Sequence, residues 1–68
     1  MASIHVTTYD THYHVLDHRS FLTLLEAHDF ARSNEKCVCY IITDVMGVTS
    51  TYEYDETDDS AIWILVED

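Results

Sequence analysis

The 68-residue sequence has no proline, one glycine and only three lysine and arginine residues. Without proline or a glycine-rich stretch, no segment has the composition of a linker, and no internal repeat divides the chain. One glycine is too few for the glycine-rich loops that bind phosphate, such as the P-loop and the dinucleotide-binding loop. The sequence therefore predicts a single domain, residues 1–68, without a nucleotide-binding loop.

Long apolar runs are also missing. The longest, AIWILV at 61–66, is far shorter than the ~20 residues that span a bilayer, and no basic and then apolar leader opens the chain. Three basic residues against thirteen acidic ones give a formal net charge of −10. Such a surface repels nucleic acid and anionic membranes. We therefore expect a cytoplasmic protein, in the host cytoplasm if a phage encodes it, with no direct nucleic-acid or membrane binding.

Catalytic motifs are scarce as well. There is no GxSxG sequence, and Cys37 and Cys39 lie in an apolar run, where they are expected to be small core residues. Their side chains leave the same face of a predicted strand, so they cannot easily form a disulfide with each other. A chain this short also has little scaffold to surround a substrate. We expect no enzymatic activity and no cofactor.

Apolar patterning predicts the element order β-β-α-β-β-β. SIHVTTYD at 3–10 and THYHVLD at 11–17 predict a hairpin that turns near Asp10 and Thr11, with Val6 opposite Val15 and Thr8 opposite Tyr13. A capping box of Thr23 and Glu26 predicts a helix that begins at Leu24 and ends near Asn34. Its apolar stripe consists of Leu24, Ala27, Phe30 and Ala31.

The second half of the chain predicts three more strands. KCVCYIITD at 36–44 is apolar on both faces, as a central strand is, and Gly47 suits the left-handed residue that ends the short hairpin loop after it. VTSTYEYD at 48–55 alternates polar and apolar residues, and AIWILVED closes the chain. The fold predicted is α+β, a small single-layer antiparallel sheet of four to five strands with one helix packed on one face. Either the N-terminal hairpin or a second copy, in a homodimer, must cover the other face.

The segment THYHVLDH at 11–18 is similar to the H-x-H-x-D-H motif of metallo-β-lactamase-like hydrolases. Asp17 and His18 come one residue late, however, and in a strand that moves a side chain to the opposite face. In the predicted hairpin His12 and His14 share a face with His5. A small zinc site that includes Cys37 and Cys39 is a minor alternative, but we predict no metal site and an exposed polar face. His28 is predicted to be a partly buried packing residue.

Acidic residues are concentrated in EYDETDD at 53–59. Carboxylates on one face of a strand are about 6.6 Å apart, close to the rise of two phosphates at about 3.4 Å each. Thr49, Thr51 and the tyrosines would provide neutral contacts between the charges. The predicted partner-binding residues are Glu53, Asp55, Glu56, Asp58 and Asp59, with Glu67, Asp68, Asp10 and Asp17 as outer contributors. If His5, His12 and His14 lie near this surface, binding to a basic partner should weaken below about pH 6.

In its size, its charge and its EYDETDD cluster, the sequence resembles the small acidic proteins that phages and mobile elements encode against their hosts. These include DNA mimics of the anti-restriction and anti-CRISPR type. The resemblance implies a stoichiometric inhibitor that binds the basic groove of a nucleic-acid-binding host protein. The alternative is a small structural or regulatory interaction module, antitoxin-like or an assembly partner, with Trp63, Tyr52 and Tyr54 in its interface.

Overall fold

The computed structural model describes residues 3–57 and 60–66. It is an α+β fold whose five strands form one antiparallel sheet in the order β2-β1-β3-β4-β5. The predicted class, element order and central position of β3 are confirmed. The elements are β1 (Ile4–Tyr9), β2 (Val15–Phe21), α1 (Leu24–Arg32), β3 (Cys39–Thr43), β4 (Thr49–Thr57) and β5 (Ser60–Val66).

Strand register divides the sheet into two faces, because successive side chains alternate and paired residues share a face. Tyr40, at the centre of β3, pairs with Thr8 and Tyr52. We call its side the tyrosine face, which comprises Ile4, Val6, Thr8, Asp17, Arg19, Phe21, Tyr40, Ile42, Ser50, Tyr52, Tyr54, Trp63 and Leu65. The opposite side is the acidic face, which comprises His5, Thr7, His18, Ser20, Cys39, Ile41, Thr43, Thr49, Thr51, Glu53, Asp55, Ile62, Ile64 and Val66.

The helix begins where the capping box predicts. The Thr23 hydroxyl accepts a hydrogen bond from the Glu26 backbone N–H at 3.2 Å and donates one to the Glu26 carboxylate at 3.0 Å. The helix ends at Arg32, two positions before the predicted end, because the Asn34 N–H bonds the Ala31 carbonyl in a tighter turn. No helix in residues 3–57 and 60–66 is long and apolar enough to cross a membrane.

The core contains residues of this helix and of the strands. Ala27 and Ala31 are fully buried in a cluster whose other members are Ile4, Val6, Cys37, Tyr40 and Ile42. Two alanines on one helix stripe allow the helix backbone to approach the strands closely. Phe30 packs at the edge of the cluster, as predicted, whereas Leu24, the fourth residue of the predicted stripe, is exposed.

The predicted pairing of the N-terminal hairpin is wrong. Val6 pairs with Arg19 and Thr8 with Asp17, because the connection runs through residues 10–14 and not through two residues. The Asp10 carboxylate accepts hydrogen bonds from the backbone N–H groups of His12 and His14 at 2.8 and 2.9 Å. These bonds stabilise a longer turn, and a bulge at Thr8/Tyr9 shifts the register further.

The hairpin also does not fold over the sheet. β1 is hydrogen-bonded between β2 and β3, so both strands of the hairpin lie within the sheet itself. The N-terminal hairpin is therefore excluded as the cover for the second face of the sheet.

The hairpin between β3 and β4 is turned by Asp44 and Gly47. The Asp44 carboxylate accepts from the N–H groups of Met46 and Val48 at 2.8 and 3.0 Å. Gly47 has a φ of 84°, the left-handed conformation that the sequence predicts for it. This turn directs β4 back along β3 and brings Glu53 opposite Cys39.

Candidate functional site

Two exposed carboxylates, Glu53 and Asp55, point from β4 to the acidic face. They lie two positions apart on the strand, so their Cα atoms are separated by about 6.6 Å. Neither side chain forms an ion pair or a hydrogen bond with another described side chain. We call these two residues the carboxylate row. Both carboxylates are therefore exposed, and the partner-binding role that the sequence suggests for this segment stays a prediction.

An aliphatic row runs beside the carboxylate row on β5. Ile64 is the register partner of Glu53, Ile62 of Asp55, and Val66 of Thr51. These side chains are exposed to solvent: Ile62 by 49 %, Ile64 by 41 % and Val66 by 39 %. Two adjacent rows, one acidic and one aliphatic, therefore form a single amphipathic surface on the acidic face.

The tyrosines are not part of this surface. Tyr52 and Tyr54 alternate with the carboxylates and point to the tyrosine face, where Tyr52 stacks on Tyr40 at 5.0 Å and Tyr54 contacts Trp63 at 5.2 Å between ring centroids. The prediction that tyrosines separate the charges is wrong. Thr51 and Thr49 remain the neutral residues of β4 on the acidic face.

Of the other predicted acidic residues, two lie apart from the carboxylate row, one follows it directly in the chain, and four lie outside the described residues. Asp17 is on β2, the opposite edge strand, with its carboxylate 4.0 Å from Arg19 Nε. Asp10 is occupied in its turn, where the hydrogen bond from the His14 N–H is the main cause of a lowered pKa. Glu56 belongs to β4 and pairs with Ala61. Outside the described residues lie Asp58, Asp59, Glu67 and Asp68.

The outer edge of β5 presents unpaired backbone groups. The Tyr54 N–H donates to the Val38 carbonyl at 2.9 Å, so alternation directs the backbone groups of Glu53 to β5 and those of its partner Ile64 to β4. The N–H and C=O groups of Trp63 and Leu65 then point away from β4. Within residues 3–57 and 60–66, no other strand pairs with this edge.

A cleft of about 410 Å³ opens on the tyrosine face beside the same strand. It lies between the end of the helix and the β4–β5 hairpin, and its lining includes Arg32, Val38, Tyr54 and Trp63. The aromatic side chains make this wall of the hairpin apolar, in contrast to the carboxylates on the opposite face.

The histidines group differently from the prediction. His18, and not His12 or His14, lies beside His5, and the two rings are stacked with centroids 5.9 Å apart. The hydroxyl groups of Ser20 and Thr7 bond the Nδ1 atoms of His5 and His18 at 2.8 and 2.7 Å. His12 and His14 lie in the turn after Asp10. The longer turn is the physical reason for this change of partners.

No group of three or more His, Cys, Asp or Glu side chains that could hold a metal ion occurs among the described residues. Both cysteines are free and buried. Burial raises the pKa of each thiol, and the charge of Glu53 adds to the effect at Cys39. A protonated buried thiol is a poor metal ligand and a poor nucleophile.

His28, predicted to be a partly buried packing residue, belongs to a polar cluster around Tyr40. The fully buried Tyr40 hydroxyl accepts from Arg32 Nε at 2.9 Å and bonds His28 Nδ1 at 2.9 Å. Burial lowers the pKa of His28, and the charge of Arg32 adds to that shift. Burial raises the pKa of Tyr40. The hydrogen bonds of His28 and Arg32 with Tyr40 link the helix to the central strand.

Comparison with family models, curated proteins and solved structures finds no match to this chain. The interpretation of the site therefore depends on its own geometry.

The aliphatic row and the free edge are the parts of the site that sequence reasoning missed. The signal for them was present in AIWILV, which is apolar at consecutive positions and carries no charge. A strand of that kind is expected in the centre of a sheet. It lies at the edge here because β5 follows β4 through a short connection and no later strand covers it in the described part of the chain.

Proposed function

We propose that this protein is a stoichiometric inhibitor that binds a basic nucleic-acid-binding protein through the carboxylate row and the aliphatic row beside it. The observation that carries the proposal is the exposure of Glu53 and Asp55 without a described cationic partner, in a chain with thirteen acidic and three basic residues. Proteins that hold nucleic acid have the basic surfaces that such a row would fit.

Electrostatics favour fast association with a partner of this kind. A net charge of −10 attracts a basic surface over a distance of about 10 Å at moderate ionic strength. Attraction of this type raises association rates more than it raises affinity. The inhibitor would therefore compete with nucleic acid for the basic groove without performing chemistry.

We also infer that the helix packs on the tyrosine face alone. The buried helix residues Ala27 and Ala31 cluster with Val6, Tyr40 and Ile42 of that face. On the other face Ile62 and Ile64 retain large exposed areas. A helix on one side leaves the acidic face open to a partner.

The aliphatic row sharpens the kind of partner. A surface that only copied a phosphate row would be polar between its charges, whereas Ile64 and Ile62 adjoin Glu53 and Asp55 directly. Burial of exposed isoleucine contributes affinity that salt does not screen. We therefore expect a target whose lysine and arginine residues are interspersed with apolar side chains.

The test is competition with nucleic acid. Nucleic-acid-binding proteins are first enriched from a lysate on a heparin column, and those that bind the immobilised wild-type protein are collected. Each captured protein is then assayed for binding to its labelled nucleic acid. We expect equimolar wild-type protein to displace the nucleic acid at low salt. The double variant E53Q/D55N should lose this activity, whereas D17N/D29N, which removes the same charge from β2 and the helix, should retain it. Equal inhibition by both variants would disprove the role of the row.

A structural or regulatory interaction module is the second candidate. Of its three predicted aromatic residues, Trp63 and Tyr52 pack against the core and only Tyr54 is exposed. The exposed aliphatic side chains of β5 support this candidate better than the aromatic ones do. Partner binding that survives E53Q/D55N but is abolished by Ile64→Asn would favour the module over the inhibitor.

A further inference from the structure

The two edges of the sheet carry different protection against strand addition. Natural edge strands are usually blocked by charges, proline or a bulge, because unpaired backbone groups attract other strands. β2 has Asp17, His18 and Arg19 and pairs with β1 through a bulge. β5 has no charged residue in Ser60–Val66 and no proline. One edge is therefore protected and the other is open.

The open edge can form main-chain hydrogen bonds with a partner. The N–H and C=O groups of Trp63 and Leu65 point outward, as the hydrogen bond from Tyr54 to Val38, the residue before β3, requires. Addition of an extended segment to such an edge is a known form of peptide recognition, in which main-chain bonds supply affinity and side chains supply specificity.

We propose that β5 docks an extended segment of the partner, which joins the sheet as a further strand and alternates basic with apolar side chains. This inference rests on the proposed function, because the basic side chains are those that would meet Glu53 and Asp55. It adds to that function the conformation and the sequence pattern of the bound segment.

The acidic face sets the basic half of the pattern. Strands are spaced by about 4.8 Å, so an added strand lies about 10 Å from β4. Lysine and arginine are long enough to cross β5, with their aliphatic stems on Ile62 and Ile64 and their charged ends toward Asp55 and Glu53. Shorter side chains would cover the isoleucines and leave the carboxylates unpaired.

The tyrosine face sets the apolar half. The alternate side chains of the added strand would lie beside Trp63 and Leu65, next to the cleft whose wall includes Tyr54. Leu65 is 45 % exposed, so this side offers apolar area to bury. A strand with basic residues on both faces would leave that area in water.

A second copy of this chain does not fit the same edge. Two copies would bring together two net charges of −10. The three basic residues Arg19, Arg32 and Lys36 are distributed over β2, the helix and the following turn, so no strand of the chain supplies alternating cations. Charge complementarity therefore selects a basic partner segment over a homodimer.

The experiment uses the intact protein and a synthetic peptide of seven residues, the length of β5, that alternates lysine and valine. One control peptide has the same residues in two blocks, and another is N-methylated at alternate residues. We expect the alternating peptide to bind about tenfold more tightly than either control. Binding should also slow amide hydrogen exchange at Trp63 and Leu65.

The matched protein variants are Leu65→Pro and Leu65→Ala. Both lose the leucine side chain, but only Leu65→Pro loses the outward N–H, and proline is tolerated where that group faces solvent. Leu65→Pro should weaken peptide binding by about tenfold relative to Leu65→Ala. If Leu65→Pro does not fold, the N-methylated peptide with the wild-type protein tests the same hydrogen bonds.

Three results would overturn the inference: equal affinity for the block peptide, no effect of N-methylation, or a peptide-independent dimer that protects the same two amides. Failure here is distinguishable from failure of the proposed function. If E53Q/D55N abolishes competition with nucleic acid while N-methylation has no effect, the proposed inhibitor function is supported and the proposed strand addition at β5 is disproved.

Discussion

The hairpins at the two edges of the sheet are attached to the rest of the molecule in different ways. The β1–β2 hairpin contacts the helix, has a turn closed by the Asp10 carboxylate, and includes an edge strand with charges. The β4–β5 hairpin joins the sheet through β3 and contacts the core through Tyr52 and Trp63. The β2 edge therefore carries charged side chains and a bulge, whereas the β5 edge carries exposed aliphatic side chains beside the carboxylates of β4. This asymmetry shows that the exposed apolar and acidic side chains of the β4–β5 hairpin lie outside the contacts that form the core.

Trp63→Ala should have the largest effect on this asymmetry. Trp63 contacts Tyr40 and Tyr54 with ring centroids at 4.9 and 5.2 Å, and removal of a large aromatic residue costs about 3 kcal/mol. We expect a lower free energy of unfolding in urea and faster amide exchange in β4 and β5 than in β1 and β2.

The matched control is Leu65→Ala on the same strand and face, which should cost less than about 1 kcal/mol. Uniform loss of protection in both hairpins of the Trp63→Ala variant would contradict the difference between them.

Tyr40→Phe should have the next largest effect. The fully buried hydroxyl has two partners, Arg32 Nε and His28 Nδ1, both at 2.9 Å. Its loss should cost about 1 kcal/mol, since both partners are near enough to the surface to reach water. Tyr54→Phe is the control, because the Tyr54 hydroxyl has no hydrogen bond among the described contacts and its loss should leave the melting temperature unchanged. A larger effect at Tyr54 than at Tyr40 would refute the role of the cluster.

The sequence predicts the parts of this structure that depend on local chemistry. The capping box at Thr23, the left-handed Gly47 and the alternation that places Glu53 and Asp55 on one face all follow from neighbouring residues. The register of β1 with β2 does not, because one carboxylate, that of Asp10, decides the length of the turn.

Strand order is also not a local property. The sequence shows that AIWILV is a strand, but only pairing with distant residues decides that it is an edge strand next to the carboxylate row. Glu53 and Asp55 are exposed, and their role in partner binding stays a prediction, while the position of the isoleucines beside them requires the sheet. Asp17 is far from them for the same reason: β2 is at the opposite edge.

Asp10→Ala tests the attachment of the β1–β2 hairpin and should destabilise less than Tyr40→Phe, because the turn is at the surface. The variant removes the acceptor for the N–H groups of His12 and His14. Faster exchange of these two amides is the expected result, with a small decrease in melting temperature. Asp44→Ala, which opens the equivalent bonds to Met46 and Val48, is the control and should affect the β3–β4 turn alone. If Asp10→Ala leaves exchange in the turn unchanged, the carboxylate does not determine the register.

The pH dependence of stability should show the smallest effect and originates from His28 in the helix. Burial, and secondarily Arg32, lower the pKa of His28 in the folded state, so the unfolded chain binds a proton at higher pH than the folded chain does. His28 therefore contributes stability that is present above about pH 6.5 and is lost as the pH falls below that value toward the folded pKa. The net charge of the whole chain also changes with pH, so the effect of His28 has to be isolated by comparison of variants. The measurement is consequently the difference in melting temperature between wild type and His28→Gln across this range, with His12→Gln in the exposed turn as the control.

On acidification the melting temperature of the wild type should fall relative to that of His28→Gln, but not relative to that of His12→Gln. Parallel curves for the wild type and both variants would show that the Tyr40 cluster does not control the titration.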